Sequence, residues 1–198
     1  MTAGTPIKGD AATGVMRKLH AFISDRQGAG AIEFALIVPL LLCLYLMAFQ
    51  LTIGLSVAKR ASRTAAAVAD LVAQQSNPVK TTTLDDMPYL AQAMFAPYTP
   101  SNGKLKITGV TVDSNGNPTV AWSRDQSGGK PYTVGASVNL PSGMRTPGAF
   151  FIHAEVSTDF PLFVFTTNAL PSSTQTLTIY RHYFYALRTG TSLSCSGC

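Results

Sequence analysis

One acidic residue, Glu33, stands at the mouth of a long uncharged apolar run in this 198-residue chain. A carboxylate in such a place is costly and calls for a reason. A position near a helix N-terminus, where the macrodipole favours negative charge, would account for its energy. It would not account for its neighbours. The local order is Arg26-Gln27-Gly28-Ala29-Gly30-Ala31-Ile32-Glu33-Phe34, a basic stretch ending in Gly, with Glu the fifth residue after it and an aromatic next. A second group is Cys195-Ser196-Gly197-Cys198. A redox-active pair of this spacing normally opens a helix in a thioredoxin-like fold, whereas this one occupies the last positions of the sequence. A structural disulfide, within the pair or to another subunit, suits an exported domain; free thiols are the other option. A third group, His153, Glu155 and Asp159, alternates along one predicted strand face and reads as the solvated side of a half-buried strand. His182, between Arg181 and Tyr183, reads as packing or surface, and His20 lies in the N-terminal basic stretch. No phosphate-binding Gly-rich loop, His-x-x-Glu-His pattern, Gly-x-Ser-x-Gly elbow or four-ligand metal set occurs. The expectation is a protein that is not an enzyme and carries no cofactor and no metal.

The elements that place these residues begin with the apolar run itself. From Phe34 to Ala58 there is no charged side chain. About 25 helical residues at ~1.5 Å each span roughly 37 Å, enough to cross a ~30 Å hydrocarbon core with some tilt. A cleavable secretory signal would have a shorter apolar core followed by a small-residue cut site, and here the small residues Gly28 to Ala31 come first. Outside this run the chain is an ordinary polar domain, although 46% of all residues are hydrophobic and only 13% charged. The net charge is +5, but the basic residues are scattered, and the one cluster, Lys59, Arg60 and Arg63, abuts the apolar run. With no basic stripe interleaved with aromatics, no nucleic-acid partner is expected. Arg17, Lys18 and Arg26 on one side balance Lys59, Arg60 and Arg63 on the other, so flanking charge does not orient the span. Cys43 lies inside the run, as a small hydrophobe. Pro39 permits a kink.

Helical character continues from Lys59 to Gln75 and ends at Asn77-Pro78. Ala58, Ser62, Ala66, Ala69 and Ala73 form a small-residue stripe, suited either to close helix packing or simply to an exposed Ala-rich helix. A second helix is expected from Leu84 to Phe95, with Thr83 and Asp86 as a capping box. Period-two patterning then marks strands at Lys104–Asp113 and Thr119–Arg124 around an Asn115-Gly116 turn. Gly148–Phe160 is the cleanest strand, with Phe150, Ile152, Ala154, Val156 and Phe160 on its apolar side. Thr176–Arg188, aromatic on both faces, reads as a central or packed strand, and Pro131–Pro147 and Asn168–Ser173 as loops. The expected fold class is α+β: a long N-terminal helix, its first half apolar enough to be transmembrane and its second half packed on a small antiparallel sheet.

At Gly28, Glu33, Phe34 and the "EFALIVPLLL" run with its early Pro39, the sequence resembles the prepilins of the type IV filament superfamily, most closely the TadE-like pseudopilins of the tight-adherence (Flp) pilus system. The "AEVSTDFPLFVF" stretch and the Cys-bearing C-terminus extend the resemblance more weakly. It implies a basic cytoplasmic leader, residues 1–28, removed by a prepilin peptidase that cuts between Gly28 and Ala29. The rest then divides into a transmembrane helix (29–58), a helix extension (59–76) and an exported domain (77–198). Gly28 would enter the protease cleft extended and without a side chain. The new amine on Ala29 would be positively charged and would pair with Glu33 of a neighbouring subunit, fixing register beside Phe34. Cys195 and Cys198 would be oxidised. The implied role is a processed pseudopilin or minor pilin in the assembly of Flp pili for adherence. Its implied partners are the prepilin peptidase, the Tad inner-membrane assembly platform, other pilins or pseudopilins, and copies of itself. It would sit in the bacterial inner membrane, leader cytoplasmic and C-terminal domain periplasmic, with possible passage into the surface pilus. Two rival readings are an uncleaved single-span periplasmic binding or adaptor protein and an anchored exported enzyme. N-terminal sequencing separates the cleaved reading from both.

Overall fold

The computed structural model describes residues 28–98, 101–161 and 176–198. The leader with His20, the Asn168–Ser173 loop and the end of the "AEVSTDFPLFVF" stretch lie outside these residues. Two compact units divide the chain between Phe49 and Gln50. Helix α1, Ala29–Ala73, is 45 residues long, about 67 Å at 1.5 Å per residue.

Within the first unit, α1 is apolar on every side. Ile32, Phe34, Leu36, Leu40, Leu44 and Met47 are all exposed. A helix that is hydrophobic all round lacks the polar face it would need in water. The helix is long and apolar enough to cross a membrane. Tyr45 and Phe49, one turn apart, stack with ring centroids 6.5 Å apart. Pro39 lies inside the helix, where the bond its missing N–H would make to Ala35 is forfeited.

In the second unit the pattern becomes amphipathic. Val57, Ala61, Thr64, Ala65, Val68, Ala69, Val72 and Ala73 form the buried side of α1. This redraws the small-residue stripe: Ala69 and Ala73 belong to the core, Ala58 and Ala66 are half-buried, and Ser62 is exposed. The small side chains on this face share the core with the residues of the sheet. The helix stops at Ala73, two residues short of the expected end, with Gln74 N–H closing on the Asp70 carbonyl at 3.1 Å.

A two-residue strand β1, Val79–Lys80, then leads into α2, Thr81–Met94. This helix begins three residues before its expected start, and no side chain caps it. The Thr83–Asp86 capping box therefore does not form: Lys80, held extended opposite Ser196, is already the N-cap. At the other end Arg60 donates to the carbonyls of Met94 (3.4 Å) and Ala96, a cation at the C-terminal dipole.

Strands β2 (Ser101–Val112), β3 (Pro118–Asp125), β4 (Phe150–Pro161) and β5 (Thr176–Ala186) form an antiparallel sheet in the order β3-β2-β4-β5. The β2–β3 turn is built on Asp113, whose carboxylate accepts from the N–H groups of Asn115 (2.8 Å) and Asn117 (2.7 Å), while Gly116 takes a positive φ of 82°. One sheet face meets α1 and α2 through Leu105, Ile107, Trp122, Phe150, Ile152, Ala154, Val156 and Ile179. The opposite face is covered in part by the 126–149 loop, where Val110, Val112 and Phe151 pack with Leu140. Both faces of β4 are thus occupied. Strand β5, by contrast, is an edge and mostly exposed, which corrects the expectation of a central or packed strand. Its aromatics are numerous because Tyr180, His182 and Phe184 lie beside the polar groups of β4 rather than because β5 is itself enclosed.

A last strand β6, Cys195–Ser196, pairs in parallel with β1. Leu193 is buried, Trp122 Nε1–H donates to its carbonyl at 2.6 Å, and Ser194 donates from N (2.9 Å) and Oγ (2.6 Å) to Asn77 Oδ1. The C-terminal segment is therefore fastened to both the sheet and the α1–α2 junction.

Candidate functional site

The N-terminal motif sits on open ground. Gly28 precedes α1 and Glu33 and Phe34 lie in its first turns, all exposed. A Cβ at Gly28 would meet nothing within 4 Å among the described residues, so local packing does not require glycine there. Glu33 makes no hydrogen bond or ion pair with a described residue.

At the far end, Cys195 and Cys198 are joined in a disulfide with Cα atoms 5.6 Å apart. Both are half-buried against the core that holds α1 and the sheet together. Cys43 is a free, exposed thiol on the apolar half of α1.

The third group differs most from its sequence reading. Glu155 is not solvated; it is 7% exposed. Tyr132, from the loop after β3, donates its hydroxyl to Glu155 at 2.8 Å, and Tyr180 of β5 donates at 2.6 Å. Lys106, opposite Glu155 on β2, lies 5.0 Å from the Tyr132 ring centre. Burial and the neighbouring carboxylate push the Tyr132 hydroxyl up to about 12 and raise Tyr180 as well. Both tyrosines thus remain proton donors at neutral pH, which is what holding a buried carboxylate requires. His153 Nδ1 is 3.9 Å from Glu155 Oε2, and its Nε2 is 3.2 Å from His182 Nδ1 on β5. Burial lowers His153 to about 4; Glu155 opposes the shift and His182 adds to it. Asp159 stands apart, accepting from Asn102 (3.0 Å) and Thr178 (2.7 Å).

The cluster holds a carboxylate and orients imidazoles, but it offers no nucleophile with an adjacent base. Period-two alternation found the β4 members. It missed Tyr132, which reaches the site from a loop, and Tyr180, whose role depends on the Ser157–Tyr180 register. Replacing Glu155 by Gln keeps the shape but turns charge-assisted hydrogen bonds into neutral ones. The expected loss is about 1–2 kcal/mol in chemical denaturation.

The fold around these groups is a long N-terminal helix followed by a small antiparallel sheet. No curated protein and no solved structure matched the chain. Residues 28–70 match the TadE-like protein family, from Gly28 through Glu33 and Phe34 to Asp70 on α1, and over that segment the chain is similar to that family.

Proposed function

We propose that this chain is a pseudopilin or minor pilin that takes part in assembling Flp-type pili for adherence, after a prepilin peptidase cuts it between Gly28 and Ala29. The observation that carries this reading is the family match, which begins at Gly28 and covers the apolar helix. The family is a structural one, associated with pilus components in general. The open surroundings of Gly28 and the exposed Glu33 and Phe34 support a motif read by other proteins. Helix α1 supports a single inner-membrane span. The disulfide supports an oxidising compartment for the C-terminal domain, hence a periplasmic one. The partners are then the peptidase, the assembly platform, other pilins and further copies of the chain.

N-terminal sequencing of the protein purified from membranes tests this. A start at Ala29 is the expected result; an intact Met1, or a cut beyond the apolar run, would defeat the proposal in favour of an anchored adaptor. Cleavage leaves an ammonium group on Ala29, and in low dielectric an unpaired Glu33 would be heavily penalised. Glu33→Gln is accordingly expected to be cleaved normally yet to co-purify with other pilins in reduced yield. Undiminished co-purification would remove the pairing role.

A further inference from the structure

We propose that His153 and His182 form a surface site for a divalent transition cation of the Cu2+ or Zn2+ class, independent of any role in pilus assembly. His153 Nε2 and His182 Nδ1 face each other across β4 and β5 at 3.2 Å. Two imidazole nitrogens bound to one cation at about 2.0–2.1 Å, at angles between square-planar and tetrahedral, lie about 2.9–3.4 Å apart. The observed separation falls inside that range.

The rings are already held. His153 stacks on Phe184 at 4.0 Å between centroids with planes 8° apart. His182 lies over Tyr180 at 5.7 Å and meets His153 edge-on at 87°. Behind His153, its second nitrogen looks towards Glu155, which Tyr132 and Tyr180 clamp in turn. At 3.9 Å this carboxylate is beyond hydrogen-bond reach of His153, and its negative charge beside the ring favours a cation held on the ring's other nitrogen. His182 is exposed, so the cation has an entry path. No third His, Cys, Asp or Glu completes the set among the described residues, and water takes the remaining positions.

The test uses the full chain in detergent, purified without a histidine tag and carrying His20→Ala to remove the one other histidine. Cu2+ is titrated calorimetrically, and the bound form is examined by electron paramagnetic resonance. The expected result is one equivalent with coupling to two imidazole nitrogens, and at least tenfold weaker binding in His182→Ala. That variant alters an exposed edge position, so it leaves the fold in place. Equal affinity in the two proteins, or coupling to fewer than two imidazoles, overturns the proposal. His153→Asn, checked for folding by circular dichroism, must weaken binding in the same way.

Discussion

Gly109→Ala is expected to destabilise the domain by about 3 kcal/mol or more, well above the effect of an ordinary glycine-to-alanine change. Gly109 lies on β2 opposite Trp122 and Ile152, facing the core shared with the helices. A Cβ there would press on Trp122 Nε1, stand 2.5 Å from Trp122 Cε2 and 2.9 Å from Phe150 Cζ. Neither ring has room to retreat, because Phe150 is buried and the Trp122 indole is fixed by its hydrogen bond to the Leu193 carbonyl. Relief by moving the indole would cost that bond, about 1 kcal/mol, and loosen the C-terminal segment fastened by it. Gly143 is the matched control: an added Cβ meets nothing within 4 Å, so Gly143→Ala should stay within about 0.5 kcal/mol. Trp122→Leu should shrink the Gly109→Ala penalty, because residues in contact are not additive. Denaturation midpoints of the wild type, Gly109→Ala, Trp122→Leu and the double variant decide it. Additive effects would show that Trp122 is not what the methyl group strikes.

The same two residues mark where sequence reading stops. Periodicity located both helices and the four sheet strands within a few residues, since the 3.6 and 2.0 repeats are imprinted directly on the order of apolar side chains. The α+β class followed. Gly109 inside a strand pattern could signal only a bulge or a close approach; that Trp122 fills the space depends on strand register, which no local pattern encodes. Strand β5 was misread for a related reason. Its aromatics resemble those of a buried strand, but half of them lie beside a polar group on the neighbouring strand. Glu155 shows the converse case. Alternation put it on the outer face correctly, yet whether an outer face is wet depends on the loop that crosses it, and Tyr132 comes from that loop. The N-terminal motif of Gly28, Glu33 and Phe34 is a matter of linear spacing, so reading it requires no fold, and these residues fall within the segment that matches the TadE-like family.

Stability is expected to fall on acidification in two separate windows, and the first belongs to His153. With an ordinary value of 6.5 lowered to about 4 in the folded protein, its imidazole stays neutral in the half-buried cluster while the unfolded chain takes up a proton. The unfolded state therefore binds more protons between those values, so stability is full above pH 6.5 and declines as the pH falls towards 4. Each tenfold difference in proton affinity is worth about 1.4 kcal/mol, giving a loss on the order of 3 kcal/mol across the window. The groups around the ring determine the size of this loss. Burial is the main cause, His182 adds to it, and Glu155 at 3.9 Å limits it by favouring the charged ring. The carboxylates of Asp70, Asp85, Asp113 and Asp159 act later. Their values are lowered from 3.8 chiefly by hydrogen bonds, from Gln74 and then Arg188 to Asp70 against an opposing effect of burial, and from Arg124, Asn117 and Asn102 to Asp85, Asp113 and Asp159 respectively. Their contribution is intact above that value and is lost only as the pH falls through the lowered ones. Urea midpoints measured from pH 7.5 to 3, with a chelator to keep cations off the histidines, should thus show a first decline between 6.5 and 4. His153→Gln should remove most of that decline and leave the acid limb below 3.8 in place. An unchanged decline in that variant would assign the first window to another group and show that His153 can accept a proton inside the folded cluster.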